Sequence, residues 1–166
     1  MNSAVAFMFG ISVLGVLVWA SWHDLKTRTI PKISVALVYL FAIGYLFFAD
    51  KNWTVASLCF CFTFITFICL WAISRGSFGI GDVLILSALG WMVADLALLK
   101  AFLLTLGVLT IPYGLFCYWY YRKEAEFYKK MNHSTQAYLY PYMPIVFFTM
   151  LVYILIPSML ISVFPG

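Results

Sequence analysis

Six runs of mostly apolar residues, near 4–22, 33–49, 54–73, 83–99, 101–121 and 141–163, follow one another along a chain of 166 residues. Each is about 17 residues or longer, the length at which a helix reaches across a hydrocarbon core about 30 Å thick. No water is present in such a core to pair with the main chain, so a spanning segment has to close its hydrogen bonds internally, as a helix does. Little of the chain remains for a water-facing surface: 65% of its residues are apolar and 10% charged, against roughly half and a quarter in soluble domains. The pattern predicts an all-α polytopic membrane protein with six transmembrane helices, built as a single membrane-embedded domain over residues 1–166. The least marked division lies between the fourth and fifth runs, where only "DLALLK", residues 95 to 100, signals a turn.

Orientation follows from the basic residues, which collect in cytoplasmic loops. Lys26, Arg28 and Lys32 follow the first run, Arg75 the third, and Arg122, Lys123, Lys129 and Lys130 the fifth, while only Lys51 and Lys100 occupy the opposite loops. Eight against two puts the loops after the first, third and fifth helices in the cytoplasm and both chain ends outside. The first run carries its positive charges after it, so it reads as a retained anchor with its N-terminus outside rather than a cleaved signal. The net charge of +4 is spread over these loops, which suits orientation in a bilayer and argues against nucleic-acid binding. "RKEAEFYKKMNHSTQ", residues 122 to 136, is the only sizeable hydrophilic segment and is expected to be a solvated cytoplasmic loop.

Six acids are present, and the topology sorts them. Asp50 and Asp95 fall in outer turns, where an Asp needs no further explanation. Glu124 and Glu126 lie among lysines in the long loop and are accounted for by solvated pairing. Asp24 and Asp82 remain, both on the cytoplasmic side and both where a helix joins its loop. Asp82 starts the fourth helix, where an ordinary N-cap accounts for a carboxylate. Asp24 follows the first helix, whose dipole disfavours an anion there; a surface ion pair with Lys26 or Arg28 is the plain alternative. If helices one and four are neighbours, the two acids sit at one depth on one side. Two carboxylates brought close cannot both ionise readily, so they share a proton near neutral pH. One can then activate a water while the other, protonated, hydrogen-bonds a scissile carbonyl.

The approach to Asp82 contains Gly76, Gly79 and Gly81, which leave main chain open for an extended peptide to come close. Other chemistries lack their residues. There is no H-E-x-x-H, and His23 and His133 lie in separate loops without a cluster that would complete a metal site. His23 adjoins Asp24 and is expected to pack at the interface. No G-x-S-x-G turn occurs. Cys59, Cys61, Cys69 and Cys117 all fall inside apolar runs with no C-x-x-C spacing, as small packing residues do. Neither a metal nor another cofactor is expected.

Three stretches resemble the type IV prepilin peptidases. "DLKTRTIPK", residues 24 to 32, is similar to their aspartate-bearing first loop; "GIGDVLILSALG", residues 79 to 90, to their G-x-G-D motif and the helix after it; "YPYMPIVFF", residues 140 to 148, to the proline-bearing start of their last helix. The G-x-G-D alone is a weak signal, and joined to D-x-x-x-x-x-I-P at a cytoplasmic helix end it is a strong one. The resemblance implies a membrane aspartyl endopeptidase with Asp24 and Asp82 as catalytic residues, and Gly79, Gly81, Ile30 and Pro31 as the motif that supports them. It implies a prepilin-like precursor as substrate, losing its short basic leader at the cytoplasmic face of the inner membrane. Presenilin-like proteases share G-x-G-D, but their Tyr-Asp and Pro-Ala-Leu motifs have no match here.

The chain departs from that family's pattern in three places. Leu84 stands where many relatives have Lys, and Lys32 where many have Asn or Asp. The cysteine-bearing cytoplasmic segment of the longer, bifunctional members has no counterpart, so the resemblance is to the short, single-domain form, with proteolysis and no methyl transfer expected. The alternative reading is a catalytically inactive membrane subunit of a pilus or secretion assembly machine, which Leu84 favours and the two aspartates oppose. A small transporter with both acids in a proton path is disfavoured, since neither lies at mid-membrane.

Overall fold

A computed structural model describes residues 2–27, 29–73, 79–130 and 142–152. Six helices and no strands occur among the described residues: α1 Asn2–Thr27, α2 Lys32–Phe48, α3 Trp53–Ile73, α4 Ile80–Val93, α5 Leu96–Lys130 and α6 Met143–Val152. Three segments are long and apolar enough to cross a membrane, Ala4–Thr27, Trp53–Ile73 and Leu98–Phe116; α2, α4 and α6 are apolar and shorter. Large apolar side chains cover the outer surface, with Phe47 69% and Leu104 70% exposed, and lipid rather than water suits such a surface. The hydroxyls inside the bundle follow the same rule. Ser21, Thr63 and Ser87 each donate to the carbonyl four residues back at 2.6 Å, as a hydroxyl without water must.

α4 is the centre of the packing. Ten of its 14 residues are buried, including Val83, Ile85, Leu86, Leu89 and Val93, and an evenly apolar helix of this kind belongs inside a bundle rather than at its edge. α3 packs on one side of it and α2 on another, and α2 also packs along α1. Gly90 permits the α3 contact: a Cβ there would run into Thr63 Oγ1 and the Cys59 carbonyl. The pairing of the two acids follows from the sequence if α1 and α4 are neighbours. α2 instead makes the close main-chain contacts with both.

Two boundaries differ from the sequence expectation. The α4–α5 turn sits at Ala94 and Asp95, with Ala94 in the left-handed region (φ 45°) and Asp95 Oδ1 accepting from the Leu98 N–H at 3.0 Å to cap α5. "DLALLK" is therefore mostly helix, because a capping Asp followed by Leu and Ala starts a helix rather than interrupting one. The segment 122–136 is not a loop throughout, since α5 continues to Lys130. Arg, Lys, Glu and Ala, which fill this stretch, all favour helix. Residues 131–136 and the expected last run beyond 152 lie outside the described residues.

Candidate active site

Asp24 lies in the last turn of α1 and Asp82 in the first turn of α4. Both are almost fully enclosed, at 5% and 6% exposure. They face one cleft of about 480 Å³, shared with Thr29, Ile30, Lys32, Val35, Gly79, Ile80, Gly81 and Leu84. The structure thus brings together both candidate catalytic residues and, around them, Gly79, Gly81 and Ile30. Leu84 and Lys32, the two substituted positions among the departures noted from the sequence, border the same space. Gly76 and His133 lie outside the described residues.

Asp82 was expected as the N-cap of α4. Gly79 holds that position, and Asp82 is the third residue of the helix, reaching back so that its Oδ2 accepts from the Gly79 N–H at 3.1 Å. This is the acidic half of a capping box, in which the third residue satisfies the N-cap amide. A Cβ at Gly79 would stand 2.8 Å from Asp82 Oδ2, so the close approach of carboxylate to main chain needs glycine there. Asp82 Oδ1 is buried and has no hydrogen-bond partner among the described residues. A buried oxygen left so is costly in a purely structural carboxylate, and available to a ligand. Asp82 precedes the apolar run of its helix. Burial pushes its carboxyl up to about 8, the negative charge of Asp24 adds to the rise, and the Gly79 hydrogen bond opposes it.

Asp24 is held differently. Its Oδ2 accepts from the Met143 N–H at 3.0 Å, in buried surroundings. Met143 opens α6, whose first turn closes through Ile145 N–H on the Tyr142 carbonyl at 3.1 Å. A helix start has main-chain N–H groups without internal acceptors and the positive end of a dipole, so a carboxylate is favoured there. The unfavourable dipole of its own helix is thus answered by the favourable one of α6. Lys26 is not the group that holds it: its Nζ lies 4.6 Å over the Trp22 ring, and Arg28, the other candidate for an ion pair, lies outside the described residues.

The connection between α1 and α2 packs against the start of α4 beside the two acids. Pro31 is the N-cap of α2, with extended backbone (φ −60°, ψ 131°) and a carbonyl that accepts from Ser34 N–H at 3.0 Å and Ser34 Oγ at 2.7 Å. Proline suits that place because no amide hydrogen is needed from it. Ile30, just before, is half-buried against Gly81: a Cβ at Gly81 would lie 3.1 Å from Ile30 Cβ and Cδ1. The Ile-Pro and Gly-x-Gly-Asp stretches are therefore two halves of one contact, α1–α2 connection against the start of α4.

The site residue missed from sequence is Met143, through its main chain, together with Tyr142. The Tyr142 hydroxyl lies 3.4 Å from Thr110 Oγ1 of α5. Pro144 in the first turn marked a helix start, but nothing local says which acid caps it. No group of three or more His, Cys, Asp or Glu side chains occurs among the described residues. Protein-family models, curated proteins and solved structures yield no match to this chain.

Proposed function

We propose that this chain is a membrane aspartyl endopeptidase that removes the short basic leader from type IV prepilin-like precursors. The observation that carries the reading is the pair of enclosed carboxylates facing one cleft, with Asp82 Oδ1 lacking a partner among the described residues. In the mechanism we propose, Asp82 holds a proton on that oxygen and donates it in a hydrogen bond to the scissile carbonyl. Asp24, anchored by the Met143 N–H, takes a proton from a water whose oxygen attacks the carbonyl carbon. Collapse of the tetrahedral species breaks the C–N bond, and a proton passes from the acid pair to the leaving amine. No metal or other cofactor enters these steps.

The finer topology belongs to the same proposal. All six helices cross the inner membrane, both ends lie outside, and the cleft opens to the cytoplasm, supported by the eight-to-two bias of Lys and Arg toward that side. A precursor inserted with its basic leader in the cytoplasm then presents the bond at the leader boundary to Asp24 and Asp82. The test is co-expression with a candidate precursor and mass measurement of the product: cleavage at the boundary requiring both aspartates is expected, and an uncut precursor beside the wild-type protein counts against the reading.

One observation favours the inactive assembly subunit instead. Each carboxylate already has a structural task, Asp82 at the start of α4 and Asp24 at the start of α6. A subunit that needs only those caps tolerates Asn at both positions, because an amide oxygen accepts the same hydrogen bonds.

A further inference from the structure

His23 sits half-buried one residue before Asp24, and its ring is committed to the α1–α2 connection rather than to interfacial packing alone. Nδ1 lies 2.9 Å from the Thr29 carbonyl oxygen. A carbonyl only accepts, so Nδ1 carries the hydrogen, and the tautomer follows from the contact. The same nitrogen is 2.8 Å from Thr27 Oγ1. The Thr27 hydroxyl donates to the His23 carbonyl at 2.9 Å, which leaves Thr29 Oγ1, 2.8 Å away, to donate to it. The end of α1 is thereby tied to Thr29, and Thr29 leads directly into Ile30, the residue seated on Gly81 at the foot of the cleft.

We infer that His23 is a positioning residue, whose Nδ1–H holds the connection after α1 so that Ile30 stays on Gly81 and Asp24 and Asp82 keep facing one cleft. The chain of contacts runs from His23 through Thr29 and Ile30 to Gly81, and Gly81 immediately precedes Asp82. The effect of His23 on catalysis rests on the peptidase reading, whereas its effect on the loop does not.

The two candidate isosteres separate the roles of the ring nitrogens. Asn places an amide N–H near the Nδ1 position, Gln places one near Nε2, and Phe keeps the ring shape with neither. The measurements are hydrogen exchange of the 27–34 peptide by mass spectrometry and kcat and KM for precursor cleavage, on the full chain in lipid nanodiscs. His23→Phe and His23→Gln are expected to speed exchange of that peptide and to lower kcat on the order of 100-fold, the cost of a displacement near 1 Å between reacting groups, with KM little changed. His23→Asn is expected to stay near wild type in both. Gln retains a polar group and serves if Phe does not accumulate. Unchanged exchange in the Phe and Gln variants, or an Asn variant that fails as they do, overturns the inference. A wild-type protein that cuts no precursor, with the exchange pattern as expected, overturns the peptidase reading and leaves the positioning role standing.

Discussion

Asp24 Oδ2 accepts a hydrogen bond from the Met143 N–H at 3.0 Å, so the last turn of α1 caps the first turn of α6 across most of the length of the chain. This contact gives Asp24 two separable properties, an oxygen that accepts and a charge that can take a proton. Asp24→Asn keeps the first and removes the second. It is expected to fold as wild type and to cleave nothing, while Asp24→Ala also loses about 1 kcal/mol of stability with the cap. Asp82→Asn behaves as Asp24→Asn, and the double variant is little worse than either, as for residues acting as a unit. Thermal melts in detergent and cleavage assays read the two properties apart; substantial cleavage by either Asn variant takes that residue out of the mechanism.

The two glycines of the motif fail in different ways. At Gly79 an added methyl meets the Asp82 carboxylate, the movable end of a side chain, at 2.8 Å, and the backbone there (φ −73°) accepts alanine. Gly79→Ala is expected to melt within about 0.5 kcal/mol of wild type and to lose activity on the order of 100-fold through the displaced acid. At Gly81 the methyl meets Ile30 Cβ and Cδ1 at 3.1 Å, an overpacked contact between two half-buried residues. Gly81→Ala is expected to cost about 1–3 kcal/mol, partly restored by Ile30→Val, which removes Cδ1. Equal melts for the two alanine variants speak against this division.

What the sequence disclosed follows from what is local. Apolar run length foretold six helices, and spacing of acids against charge bias singled out Asp24 and Asp82, which the fold does bring to one cleft. The Ile-Pro and Gly-x-Gly-Asp stretches were visible as motifs, but their mutual contact was not, because a glycine's missing Cβ does not say which neighbour needs the room. The Met143 N–H stayed hidden for a similar reason: a helix start announces donors without naming the acceptor. The boundary at Ala94 escaped because alanine carries no signal for a left-handed turn, and α2 lying between α1 and α4 is a packing outcome that periodicity cannot order.

Sidedness is open to direct measurement. Reporter fusions after residues 32, 78 and 130 are all expected to report cytoplasm, following the positive charges around each point. Residues 32 and 78 flank the ends of α1 and α4 that carry the acids. An external signal at one and not the other contradicts the shared cleft, and an external signal at both inverts the substrate orientation proposed above.

The raised carboxyl of Asp82 gives a pH dependence whose sign can be fixed. Its native value of about 8 stands above the ordinary 3.8, so between those values the folded protein keeps a proton that the unfolded chain releases. The stability this contributes is complete below about pH 4 and is lost as pH rises through about 8. Asp82→Asn has no proton to lose, keeps an acceptor for the Gly79 N–H, and puts an amide donor where Oδ1 carried its hydrogen. Its melting temperature is therefore expected to rise relative to wild type as the buffer moves from about pH 5 to about pH 9. Cleavage by the wild type is expected to fall over the alkaline part of that range, because the same proton serves the scissile carbonyl. Melts that track each other across the range show that Asp82 ionises freely in the folded state, and a cleavage rate flat through pH 8 removes it from the role of proton donor.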